Sequence, residues 1–193
     1  MSPRNTSACL PASLLAFVLG GLLFAPSLLA VTLRELKADR DMTPKRFANH
    51  FENFAYEYVP YVQYPEVFLR RRAGDCDDYA ILADHILREK GYRTRIIHVS
   101  LLGSDIGHAV CYVDDDRVYL DYNNRRFFFN LTRCDRSIRA IATKVAKSFE
   151  RNWTTAAVYT YDYEEDRKKR VMTVVKTDDP ALDPDRPENL ARP

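Results

Sequence analysis

One stretch of the 193-residue sequence combines a nucleophile with the groups that govern its reactivity: Gly74-Asp75-Cys76-Asp77-Asp78-Tyr79-Ala80. Cysteine attacks a carbonyl carbon as its thiolate, so the surroundings of Cys76 decide whether it can work. Acidic neighbours disfavour the thiolate, whereas a helix N-terminus favours it through its unpaired N–H groups and its dipole. The residues that follow read as a helix. Ala80, Ala83 and Leu87 line one stripe, Ile86 widens it, and Gly91 is a suitable stop after Lys90. Cys76 therefore heads a helix. The aspartates fall in its first turn, where carboxylates suit the same dipole, and are expected to point outward as capping groups.

A cysteine nucleophile needs a base to take its proton and a third group to orient that base. His108 opens the apolar run GHAVCYV and Asp121 closes the run VYLDY, with an acidic turn, Asp114-Asp115-Asp116, between them. Two such runs about a short turn predict an antiparallel hairpin. If it turns near Asp115, residues summing to 229 or 230 face each other, which sets His108 opposite Asp121 within hydrogen-bond reach. His50, His85 and His98 lack such partners. His85 falls mid-helix and His98 mid-strand, and both read as structural.

The three segments GDCDDYA, GHAV and YLDYN together resemble the transglutaminase-like superfamily of papain-type fold, in particular its exported bacterial transglutaminase-like cysteine proteinases. The resemblance covers about residues 44–125. It implies Cys76 as nucleophile, His108 as base and Asp121 as its orienting group. The expected activity is that of an exported cysteine hydrolase, cleaving an amide or peptide bond through a thioester acyl-enzyme. Two other outcomes stay open: acyl transfer to an amine, and a binding or structural module that keeps the fold without turnover. An upstream side chain is expected to help hold the oxyanion beside the Cys76 N–H, with Tyr58, Tyr61, Gln63 and Tyr64 as candidates. The resemblance also raises calcium at Asp75 and Asp77, as in a calcium-dependent branch. Two aspartates do not make such a site, so no metal or other cofactor is expected.

The elements that must position these residues read as α+β: helices, then the Cys76 helix, then an antiparallel sheet. Thr43-Pro44 starts a helix whose face carries Phe47, Phe51, Phe54 and Tyr58, and a short helix spans Glu66 to Arg72. Strands are expected at 93–102, 107–113 and 118–122, with 126–130 extending the sheet. A helix capped by Asp135 follows, carrying Ile138, Ile141, Val145 and Phe149, and strands near 156–161 and 171–175 close the fold.

The formal net charge of +2 and the short basic clusters argue against a nucleic-acid partner. The expected partner is a protein or peptide substrate. Residues 1–30, with Arg4 ahead of an apolar run from Leu14 to about Val31, read as an export signal, or alternatively as an uncleaved membrane tether. Either way the domain at 31–176 is expected to be periplasmic or secreted. Beyond the signal, three cysteines remain, an odd number: Cys111 and Cys134 either pair or stay as buried free thiols. The proline- and charge-rich segment 177–193 is expected to be disordered.

Overall fold

The computed structural model describes residues 31–176. Residues 1–30, read above as an export signal and including Cys9, and the tail at 177–193 lie outside the described residues. Among the described residues no helix is long and apolar enough to cross a membrane.

Two short helices open the chain, α1 (Leu33–Ala38) and α2 (Pro44–Asn49). Thr32 and Thr43 cap them, and Pro44 takes the first helical position, where its missing N–H costs nothing. The predicted continuation of α2 to Tyr58 does not occur. The helix tightens at His50 and Phe51, whose N–H groups bond back three residues to Phe47 and Ala48. The chain then turns into strand β1 (Ala55–Tyr56), which pairs in parallel with β2 (Ala73–Gly74). Phe47, Phe51 and Phe54 are nonetheless buried, their rings in tilted contact in series, while Tyr58 is exposed. The spacing of the three phenylalanines thus registers a shared core rather than one continuous helix, and Tyr58 lies outside it. Between the two strands, α3 (Pro65–Arg71) ends on Arg72 in the left-handed conformation.

The longest helix, α4 (Cys76–Glu89), packs on a six-stranded antiparallel sheet of order β6-β5-β4-β3-β7-β8. Its strands are β3 (Thr94–Leu101), β4 (His108–Val113), β5 (Val118–Leu120), β6 (Leu131–Arg133), β7 (Trp153–Asp162) and β8 (Arg167–Val175). Both faces of the sheet centre are covered. Ala109, Cys111 and Val113 meet α4 and the phenylalanine cluster, whereas Val110 and Tyr112 meet α5 (Ile138–Ser148). That double coverage is why β4 is buried at every residue instead of alternating.

Smaller expectations shift. Residues 126–130 form turns, and the edge strand begins at Leu131. Ser137, not Asp135, caps α5, while the Asp135 carboxylate accepts the Ser137 N–H. Cys111 and Cys134 are both free and belong to the clusters on opposite faces of the sheet. Burial pushes the Cys111 thiol well above its usual range.

Candidate active site

The start of α4 is built by its own carboxylates. Asp75 is the N-cap: its carboxylate accepts N–H bonds from Asp77 (3.0 Å), Asp78 (3.4 Å) and Val59 (3.2 Å). Asp78 reciprocates by accepting the Asp75 N–H at 3.1 Å, which completes a capping box. It also accepts the backbone N–H and the side-chain amide of Gln63, both at 2.7 Å. Only Asp77 points outward as predicted, to pair with Lys168 at 3.0 Å; Asp75 and Asp78 turn inward and are almost fully buried. Burial raises the carboxyl pKa of both, Asp78 adds to the rise at Asp75, and the N–H bonds pull each back. Gly74 is required by this arrangement. A Cβ there would lie 2.4 Å from Asp78 Oδ2 and 2.7 Å from Gln63 Nε2.

His108 begins β4 and is 4% exposed; Asp121 follows β5 and is 1% exposed. His108 Nε2–H donates to Asp121 Oδ1 at 2.9 Å. The hairpin register differs from the expected one. Its pairs sum to 231 (Cys111 with Leu120, Tyr112 with Tyr119), because the turn spans four residues, with Arg117 at positive φ. An odd sum keeps the two side chains on one face, so they meet diagonally instead of directly across. The same oxygen, Asp121 Oδ1, also accepts the Asn123 N–H at 2.9 Å at the head of a 3-10 turn.

With Nε2 committed to Asp121, Nδ1 is the ring nitrogen left for Cys76, which lines the same recess as His108. Burial favours the neutral ring, but the Asp121 charge and hydrogen bond, with further help from Cys76, push the His108 pKa up to about 10. The Phe149 ring, 4.8 Å away and tilted 64°, packs on the imidazole.

Cys76 lies at the junction of two recesses of about 390 and 370 Å³, which share Tyr56, Ile106 and Gly107. The first runs past Tyr58, Tyr61 and Lys168, the second past Ser104, Asn123 and Phe149. Gly107 cannot carry a side chain, since a Cβ would lie 2.1 Å from His98 Cε1 and 2.9 Å from the Val99 carbonyl. His98 therefore lines the cleft and props the loop before His108, a part the sequence does not reveal.

Of the upstream candidates, Gln63 is excluded as an oxyanion donor. Its amide is spent on Asp78 and the Ala73 carbonyl, and its oxygen accepts from Arg71. Tyr58 and Tyr61 line the first recess, and Tyr64 lines neither. The aromatic present in both recesses is Tyr56, which sequence reasoning missed. It faces Gly74 across the parallel β1–β2 pair, and a two-residue long-range pairing leaves no periodic signal. The Tyr122 hydroxyl, donating to the Ala55 carbonyl at 2.8 Å, fixes that strand. Tyr56 is 51% exposed, and its partial burial together with the Cys76 charge holds the phenol above its usual pKa.

Asp75 and Asp77 do not fit calcium, which takes six to eight oxygens. One carboxylate is filled by backbone amides and the other points to a lysine. Among the described residues no three His, Cys, Asp or Glu side chains gather to hold a metal.

Residues 35–129 match the transglutaminase-like domain family. These residues form a transglutaminase-like domain. The matched segment contains Cys76, His108 and Asp121 together with the helix and hairpin that carry them. Two solved structures of Legionella pneumophila LapG are similar. The calcium-bound form has 18% identity and a TM-score of 0.41, covering 64% of this chain and 68% of that one. The EGTA-treated form has 16% identity and a TM-score of 0.43, covering 71% and 75%. No curated protein matches the chain by sequence.

Two outcomes follow from this geometry. EGTA should leave the melting temperature and any activity of the protein unchanged; a loss on chelation that calcium restores would overturn the hydrogen-bonded reading of Asp75 and Asp77. The His108 pKa, raised above the roughly 6.5 of an unfolded chain, predicts a stabilising contribution that is full below about pH 6.5. It is lost as pH rises toward about 10. Denaturant midpoints across that window should fall with pH, and Asp121→Asn should flatten the slope.

Proposed function

We propose that the protein is a cysteine hydrolase that cleaves an amide bond in an extended polypeptide through a thioester intermediate. The observation that carries this reading is the convergence at one recess: Asp121 bonded to His108 at 2.9 Å, and His108 sharing that recess with a cysteine that heads a helix. Each link supplies what a thiol nucleophile lacks alone. The helix end and an imidazolium stabilise the thiolate, and the buried carboxylate stabilises the imidazolium.

In this reading the Cys76 sulfur attacks the scissile carbonyl carbon and the carbonyl oxygen becomes an oxyanion. The Cys76 N–H, at the first helical position, has no intrahelical acceptor and can donate to it. The Tyr56 hydroxyl, which stays protonated at neutral pH, is the second donor. As the carbon–nitrogen bond breaks, the imidazolium gives its proton to the leaving amine. Water then attacks the thioester with His108 as base, and the carboxylic acid leaves as the thiolate is restored. Recesses on both sides of Cys76, one walled by Tyr56, Tyr58 and Tyr61, suit a chain that runs past the nucleophile in both directions. The apolar run at Leu14–Val31 supports a site outside the cytoplasm.

The test is hydrolysis of a degenerate peptide library, with cleavage read by mass spectrometry. Cys76→Ala should abolish cleavage while keeping stability within about 2 kcal/mol of the parent. Asp121→Asn should reduce kcat/KM roughly ten- to a thousand-fold, less than in a serine triad because the thiolate can form before attack. Tyr56→Phe should lower kcat about ten- to a thousand-fold with little change in KM, as for loss of one oxyanion donor. Cleavage that survives Cys76→Ala would refute the proposal.

A further inference from the structure

The outer part of the loop between β5 and β6, beyond Asn123, has no part in the cleft chemistry, yet it is firmly built. Its tip is Phe127-Phe128-Phe129, exposed to 63%, 80% and 82%, with the last two rings in edge-to-face contact at 5.0 Å. Three consecutive phenylalanines held in water are costly unless something covers them. Below the tip, the loop is pinned by polar groups that are themselves buried. Arg125, 7% exposed, donates to the Phe54 carbonyl at 2.7 Å and to the Tyr122 carbonyl at 2.8 Å. Asn130, 2% exposed, donates to Asn49 Oδ1 at 3.2 Å and accepts from Lys45 at 2.8 Å. Lys45 also donates to the Phe128 carbonyl and sits 5.1 Å over the Phe128 ring. The rings are therefore presented by a braced base.

We infer that this tip docks the domain on an anionic lipid surface, with the phenylalanine rings in the interface and the basic groups at headgroup level. Charge favours that partner. From Tyr122 to Cys134 the chain carries no carboxylate; besides the buried Arg125 it has the exposed Arg126 and Arg133, and Lys45 adds a positive charge at the tip. Area favours it as well. Three phenylalanines bury roughly 450–750 Å² at most, short of the ~800 Å² per side of a standard protein interface. A convex three-residue tip also offers no pocket or broad patch to a protein partner, whereas a bilayer interface accommodates aromatic rings beside basic residues without a matched shape.

The test uses the full chain carrying Phe128→Trp, mixed with vesicles of phosphatidylglycerol and phosphatidylcholine or of phosphatidylcholine alone. The native Trp153 is 2% exposed and gives a constant background. The new indole should shift to the blue on the anionic vesicles and be quenched by brominated acyl chains. Adding Arg126→Glu should raise the lipid concentration for half-maximal shift roughly tenfold, as expected for reversing one charge near the surface. Because the readout is local to the tip, vesicle capture through the apolar run at 14–31 does not mimic it. An indole that stays water-exposed on anionic vesicles would overturn the inference, as would an equal shift on both lipids that ignores Arg126→Glu.

Discussion

The candidate site rests on a capping box that burial makes expensive. Asp75 and Asp78 are both almost fully removed from water, and their charges face each other across one helical turn. A buried carboxylate is tolerated when its oxygens are filled by donors. Here each accepts three N–H bonds, and those bonds carry the architecture. Those from Asp77 and Asp78 start α4 and so set the position of Cys76. Those from Val59 and Gln63 tie down the segment that walls the first recess. Gly74 then has to be glycine, because any side chain would enter the space that Asp78 and Gln63 occupy. The acidic surroundings of the cysteine, unfavourable for a thiolate on charge alone, are thereby engaged by backbone amides, Gln63 and Lys168.

The second half of the site depends on the end of the sheet. His108 and Asp121 meet where β4 begins and β5 has already ended, so neither is locked in the ladder centre, yet both are buried. The three residues from Asp121 to Asn123 do separate things from one turn. Asp121 holds His108, Tyr122 holds the strand that bears Tyr56, and Asn123 lines the cleft. A change in this turn therefore reaches the base and the proposed oxyanion donor together.

Most of this was legible in the sequence where the signal is local. The α+β order, the helix headed by Cys76, the pairing of His108 with Asp121 and the hairpin all follow from periodicity and turn residues. The hairpin register came out one or two short because turn length cannot be read from three aspartates. It left the pairing intact only because both sums that join the two side chains are odd. What escaped was long-range. The parallel pairing of Ala55-Tyr56 with Ala73-Gly74 spans an entire helix, and it alone brings Tyr56 to the cleft. The inward turn of Asp75 and Asp78 depends on donors from Val59 and Gln63, which a capping argument confined to the helix cannot supply. His98 looked like a mid-strand residue, and only the close approach of Gly107 shows it beneath the cleft.

The central claim is that His108, held by Asp121, activates Cys76, and the most direct measurement is site-resolved alkylation. Iodoacetamide labelling at neutral pH, followed by peptide mass spectrometry, reads Cys76 against Cys111 and Cys134 in the same molecule. Cys76 should label far ahead of the other two, and at least tenfold more slowly in His108→Ala, with the folded state unchanged by circular dichroism. A Cys76 that labels no faster than Cys134, or at the same rate without His108, would contradict it.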